Sequence, residues 1–514
     1  MTRRRPPAVV AALIGVLTFL PTAAPAAARD LRGVDALARI YDDILDARFD
    51  RVEAELQRAC GPAPKEACDV LTATALWWQI LLDPDNRSLD DEFTDAVERA
   101  IQSTEAWTVR EPRNGEAWFY VGGAYAARVQ WRVLRNQKVS AARDGKRIKQ
   151  ALEQALALDP GLEDANFGIG MYEYYADVAP AAAKVLRFLL LLPGGDKVDG
   201  LARMLRARTR GRLLQGEADY QLHIIYLWYE RRTDRAVSLL QSLHERYPGN
   251  PLFLSQLAEI RDRYEHDLTA SLDTWRALLA AAREQRVNEP RLAEVKARLG
   301  IARLLNALDQ TDRAVDQLQA IVDSKPQQPA GGLALAWLAL GESQDRLGRR
   351  DEAVAAYRAA IAAVGPSETH GVRATAAERL RRAPDPVRAS AYRISLDGWR
   401  RLEHNDAAGA EALLARAVSL YDRDPVAHYR YGRVLQARKD EEAALTQYEV
   451  AIRGARECPP PIAAAAYLEA ARLYERAGQR DRAIAAYRAA STWFGGGADT
   501  RAAATRALTR LRVP

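Results

Sequence analysis

Between Ile394 and Ala490 one arrangement of small and large residues is repeated three times. Gly398, Ala410, Leu414 and Ala417 recur 34 residues on as Gly432, Ala444, Tyr448 and Ala451, and 39 residues further as Ala471, Ala483, Tyr487 and Ala490. The extra residues coincide with Cys458-Pro459-Pro460-Pro461, so they lengthen a connection and leave the elements intact. Small residues at helical spacing mark faces where two helices approach closely, and the larger residue that follows fills the space beside that contact. One such pair of helices cannot bury its apolar face alone, so consecutive pairs must stack. A chain carrying this pattern is committed to an array of packed helix pairs.

When Gly398, Gly432 and Ala471 are counted as position 8, each copy has small residues at 8, 20 and 27 and a large one at 24. That period and spacing resemble the tetratricopeptide (TPR) repeat. The resemblance is carried by three copies in register over the C-terminal third. It implies an all-α fold, an α-solenoid of TPR-like helix pairs with an atypical N-terminal cap and a C-terminal capping helix, acting as a protein-interaction scaffold.

Other stretches carry parts of the same pattern. Trp337, Leu340, Gly341, Ala353 and Tyr357 form a further copy, and Ala236, Leu240 and Pro248 restore the register farther upstream. Trp118, Val121, Gly122 and Tyr125 match positions 4, 7, 8 and 11, but Leu152, Ala155 and Pro160 follow late. That delay predicts a first helix extended past Trp131 and carrying Arg143, Lys146, Arg147 and Lys149. Residues 168–253, through Gly168 and the run Tyr247-Pro248-Gly249-Asn250-Pro251-Leu252-Phe253, bear a weaker resemblance to the eukaryotic inclusion-body-clearance family of TPR-like proteins. No function or site is carried over from that likeness.

The chain therefore divides into a signal peptide (1–28), a helical N-terminal cap (29–110), an irregular TPR-like block with insertions (111–285), a TPR block (286–365), a linker or bridging helix (366–390), a second TPR block (391–494) and a C-terminal capping helix (495–514). The leader combines Arg3-Arg4-Arg5, an apolar run from Ala8 to Leu20 and the small residues Ala26-Ala27-Ala28. Such a segment predicts export, with a periplasmic or secreted mature protein after cleavage near Ala28. Cleavage would remove three arginines and lower the net charge from +6 to +3, which takes away the main argument for a nucleic-acid partner. In an oxidising compartment Cys60 and Cys68 are candidates for a disulfide across an inter-helix turn, and Cys458 is left as a lone thiol.

No motif calls for chemistry. The six histidines are scattered, and there is neither a Gly-x-Ser-x-Gly elbow nor a phosphate loop. No catalysis, cofactor or metal is expected, and the partner class is protein or peptide. In TPR proteins positions 5, 9 and 12 of the first helix usually face the groove. Carried over by position, the candidates are Phe167, Met171 and Tyr174, then Trp228, then Trp399, Tyr429, Arg433, Gln436, Arg472 and Glu475. The first set suits an apolar partner and the arginine-bearing set a hydrogen-bonded one, while packing between repeats is the competing role for each. A second reading, from the apolar run Val185 to Leu192 and the arginines that follow it, is a peripheral envelope protein resting on a membrane surface through 185–212. A hydrolase acting on cell-wall material is the third.

Overall fold

The computed structural model describes residues 31–180, 194–365, 368 and 370–511; the signal-peptide segment 1–28 and the apolar run 185–192 lie outside them. The described residues form 24 α-helices and no strand. Helices pack mainly on their neighbours in chain order, which is the architecture of an α-solenoid.

Local chemistry places the helix starts. Asn250, Asp385 and Asp424 each precede a proline, and each side-chain oxygen accepts the N–H of the residue after that proline at 2.9 Å. Proline at the first helical position lacks only an N–H that would go unused, and its φ is already helical. Asp267, Asp406 and Asp440 cap second helices in the same way, through the N–H groups of Ala270, Gly409 and Ala443. Between paired helices the chain turns through a left-handed residue, as at His266, Asp309, Asn405 and Lys439. That turn lets carbonyls at the end of the first helix find N–H partners before the second begins.

The repeats of the C-terminal third pair Pro386–Glu403 with Ala407–Leu420, Pro425–Ala437 with Glu441–Arg453, and Pro460–Arg476 with Arg480–Thr492. A last helix, Ala498–Arg510, packs on the final pair. Position 24 does more than fill space. The hydroxyls of Tyr357, Tyr448 and Tyr487 donate to Asp345 Oδ2 at 2.9 Å, Gln436 Oε1 at 2.7 Å and Glu475 Oε2 at 2.7 Å, which stand at position 12 of their own repeats. Each pair is thereby tied across its two helices by a buried ring with a satisfied polar end.

The irregular block departs from the expected layout at one point. The first helix runs past Trp131 only to Leu134 and does not reach the basic stretch. The chain turns at Asn136, with φ 61°, and Arg143, Lys146, Arg147 and Lys149 sit on the second helix, Lys138–Leu158. The extra residues lengthen both members of the pair, to 20 and 21 residues. Buried Asp144 holds the long pair together, bonding Arg128 at 3.0 Å and Arg132 at 2.5 Å from the facing helix.

The N-terminal helices lie against segments some 200 residues away in sequence. Asp46 accepts the Gly249 N–H at 2.7 Å, Asn250 Nδ2 donates to the Leu45 carbonyl at 2.7 Å, and the Tyr247 hydroxyl donates to Asp42 at 2.6 Å. Farther on, Asp83 accepts the Ala330 N–H at 3.0 Å. Cys60 and Cys68 are disulfide-bonded across the turn between Phe49–Ala59 and Lys65–Leu82, with Cα atoms 6.2 Å apart. Cys458 is free and buried.

A second joint connects the two regular blocks. The Tyr392 and Thr311 hydroxyls lie 2.9 Å apart, and Arg400 grips both oxygens of Asp312 at 2.5 and 2.7 Å. Arg430 is fully buried and donates to Ser395 Oγ at 3.0 Å and to the Asp309 carbonyl. The helix Pro386–Glu403 is therefore seated on the start of Thr311–Ser324, and Val372–Arg381 packs on Arg350–Ala363 between them in sequence.

Candidate functional site

Small residues that allow close packing also leave a trough where no large side chain follows. On the helix Gly115–Leu134, Gly122 is used up by packing, since a Cβ there would meet Leu152 Cδ2 at 2.5 Å. Gly123, Ala126 and Ala127, together with Gly122, line a cavity of about 770 Å³. Further walls come from the helices Lys65–Leu82, Lys138–Leu158, Ala165–Val178 and Gln215–Trp228, with Trp77, Ile148, Phe167 and Ile224 among the contributors. The lining is predominantly apolar.

A few polar groups interrupt it. Glu217 is buried and accepts from Tyr41 Oη at 3.2 Å, Trp78 Nε1 at 3.2 Å and Gln221 Nε2 at 3.1 Å. Burial raises its carboxyl above the usual range, against the pull of those donors. Gln221 also donates to Gln130 Oε1 at 2.8 Å. Asp164 is spent on the backbone N–H groups of Arg212, Leu213 and Leu214. Trp77 and Tyr120 differ from these, because the indole Nε1 of the first and the hydroxyl of the second are buried and have no partner.

Three of the residues expected to face a groove line this cavity: Phe167, Met171 and Trp228. Trp228 is 61% exposed and stands at its edge. Tyr174 is fully buried outside the lining, edge-on to Tyr175 and Tyr229, with its hydroxyl donating to Glu230 at 2.6 Å. It is a packing residue. Tyr41, Tyr120 and Glu217 were missed, since helices scattered from residue 34 to 228 supply the walls and no periodicity links them.

The downstream candidates form a connected row over three successive first helices. The Trp399 and Tyr429 rings lie 6.3 Å apart, and Arg433 donates to Tyr429 Oη at 3.1 Å. Gln436 Nε2 donates to Glu469 Oε2 at 3.2 Å, and Arg472 reaches Glu469 Oε1 at 2.7 Å. Glu475 meets both Tyr487 and Arg510. Arg472, Glu475, Arg476, Arg506 and Arg510 also line a cleft of about 740 Å³ against the last helix. Position 12 is thus occupied with internal bonds, and Arg433 and Arg472 keep donors for a partner.

The arginines after the apolar run are engaged. Arg203 pairs with Asp199 and Glu173, Arg206 with Glu163, Arg208 with Asp219 and Arg212 with Asp35. No described helix is long and apolar enough to cross a membrane, and among the described residues no group of three or more His, Cys, Asp or Glu could hold a metal ion.

The family model for the tetratricopeptide repeat matches residues 334–363 and 464–494. Those two stretches are tetratricopeptide repeats. The first match spans Gly341 and the tyrosine that covers it, Tyr357, and the second spans the corresponding Ala471 and Tyr487. No curated protein matches the chain in sequence. Among solved structures it is similar to YrrB, a TPR protein with an unusual peptide-binding site (17% identity, 45% of this chain and 96% of that one, TM-score 0.20). It is also similar to a tetratricopeptide repeat protein from Parabacteroides merdae (14%, 56% and 98%, TM-score 0.24) and to the human IFIT1 dimer with m7Gppp-AAAA (13%, 84% and 96%, TM-score 0.32). At TM-scores this low the likenesses carry no argument about the course of the whole array.

Proposed function

We propose that this TPR protein is an exported, non-catalytic scaffold that holds a protein or peptide partner in a groove along its C-terminal repeats. The observation that carries the reading is the row Trp399, Tyr429, Arg433, Gln436 and Arg472, continuous over three first helices. An aromatic end and two arginines with spare donors suit a peptide that offers an apolar anchor and carboxylate or carbonyl acceptors. Export is supported by the leader-like segment before Arg29 and by the disulfide between Cys60 and Cys68. The engaged arginines of 203–212 favour a protein partner over a membrane surface for this reading.

In-cell crosslinking with partner identification tests it. Trp399→Ala, Arg433→Ala and Arg472→Ala together should deplete specific partners at least tenfold at unchanged protein level. An unchanged set of captured partners would remove the groove from those residues. Fractionation should place the processed chain outside the cytoplasm.

A further inference from the structure

The last helix, Ala498–Arg510, carries the repeat numbering one unit farther. Counting 34 residues on from Arg472 at position 9 reaches Arg506, so arginine stands at position 9 of three successive units, as Arg433, Arg472 and Arg506. Position 13 adds Arg476 and Arg510 in the last two. Four of these five line the cleft against the last helix, and Glu469 joins Arg472 to Gln436 on the helix that bears Arg433. Glu469, Glu441 and Glu475 pair with Arg472, Arg476 and Arg510, which leaves five guanidinium groups facing three carboxylates. Arg433 donates to the neutral hydroxyl of Tyr429, and among the described residues no hydrogen bond or ion pair engages the exposed Arg506. Each guanidinium has five N–H donors, so the paired arginines also keep some unused.

Spacing selects the anion. Pro425–Ala437 packs on Pro460–Arg476, and that helix on Ala498–Arg510. Packed helices lie about 8–10 Å apart, so the position-9 arginines repeat at about that interval. A polyproline II segment returns a side chain to one face every third residue, at about 9.3 Å. A β-strand does so at about 6.8 and 13.6 Å, and an α-helix after seven residues at about 10.5 Å. Polyproline II also leaves its carbonyls unbonded, ready for the spare guanidinium donors. We propose that this surface binds an acidic polyproline II segment, with Asp or Glu at every third residue set against Arg433, Arg472 and Arg506. The inference rests on the C-terminal groove proposed above and specifies its partner. Side-chain carboxylates are what is recognised, so no chain terminus is required.

Fluorescence anisotropy with the full chain tests this, using a labelled peptide of four Glu-Pro-Pro triplets, acetylated and amidated at its ends. The triplet peptide should bind, and more weakly as salt rises. A peptide of the same composition with its four glutamates consecutive should bind about tenfold more weakly. Arg506→Ala removes an exposed side chain with no bond to lose, so the fold is kept, and affinity for the triplet peptide should fall about tenfold. Arg506→Lys should recover part of that loss. No binding by wild type, equal affinity for the two glutamate spacings, or an Arg506→Ala chain that binds as wild type would each overturn the proposal. So would tighter binding of an alanine-rich helical peptide with glutamate at every seventh residue, or of inorganic polyphosphate. In-cell capture separates the row from the groove. Partners lost with Trp399→Ala, Arg433→Ala and Arg472→Ala together, yet kept with Arg506→Ala, would remove the arginine row and leave the groove standing.

Discussion

The ring of Tyr448 lies across Gly432, so close that a Cβ on that glycine would stand 2.6 Å from Tyr448 Cε1. Gly341 and Tyr357 meet in the same way at 2.5 Å. The small residue at position 8 and the large one at position 24 are thus two halves of one contact, which explains why they recur together.

Substituting Gly432 tests that contact. Gly432→Val forces a branched side chain into a ring that is fully buried. Overpacking of this sort costs about 1–3 kcal/mol. Thermal melts should show the loss, and Tyr448→Phe should cost less, about 1 kcal/mol for the bond to Gln436. A Gly432→Val protein as stable as wild type would separate the two positions.

Arg430 tests the joint between the regular blocks. Arg430→Met keeps the bulk but leaves the Asp309 carbonyl and Ser395 without their donor inside the protein. A cost of about 2 kcal/mol follows for a buried acceptor left unpaired. Limited proteolysis should then cut faster between residues 363 and 386. An unchanged cleavage rate would mean that other contacts hold the joint.

The disulfide closes a loop with a sequence separation of 8. Restricting an unfolded loop of that length stabilises the fold by about 2.5 kcal/mol on the chain-entropy account. Denaturant titrations of wild type and of Cys60→Ser/Cys68→Ser should differ by that amount under oxidising conditions and coincide under reducing ones.

His223 sets one component of acid sensitivity. Burial holds its imidazole down at about 4, although its Nδ1 faces the Tyr220 carbonyl. The unfolded chain, with an ordinary imidazole near 6.5, therefore takes up the proton first. This contribution is complete above about pH 6.5 and is lost as pH falls toward 4, amounting to about 3 kcal/mol. Glu217 acts in the opposite sense, since burial raises its carboxyl and acid relieves it. Comparing wild type with His223→Gln at pH 7 and 4.5 isolates the imidazole, and wild type should lose more by roughly that margin. Parallel losses would place the ring in contact with water.

How far the site could be read in advance followed from how local each piece is. Gly398, Ala410 and Leu414 belong to one helix pair, so their spacing announces their contact. Gln436 and Glu475 were recognised as first-helix residues, yet their bonds to Tyr448 and Tyr487 across the pair were not, because hydroxyl direction is invisible in a period. Asn136 ended a helix that the spacing carried onward, since an asparagine's tolerance of left-handed backbone competes with apolar periodicity.

The amino-acid order by itself determined the unit, because close helix packing requires small residues at fixed intervals and a bulky one between them. It also determined many of the caps, where Asp or Asn beside proline satisfies N–H groups only a few bonds away. Tertiary structure alone decided that Asp42 and Asp46 meet Tyr247 and Gly249, and that the Tyr120 hydroxyl is buried with no protein acceptor. Those outcomes join residues separated by tens to hundreds of positions, where the stacking of whole helices, and no local preference, sets which side chains meet.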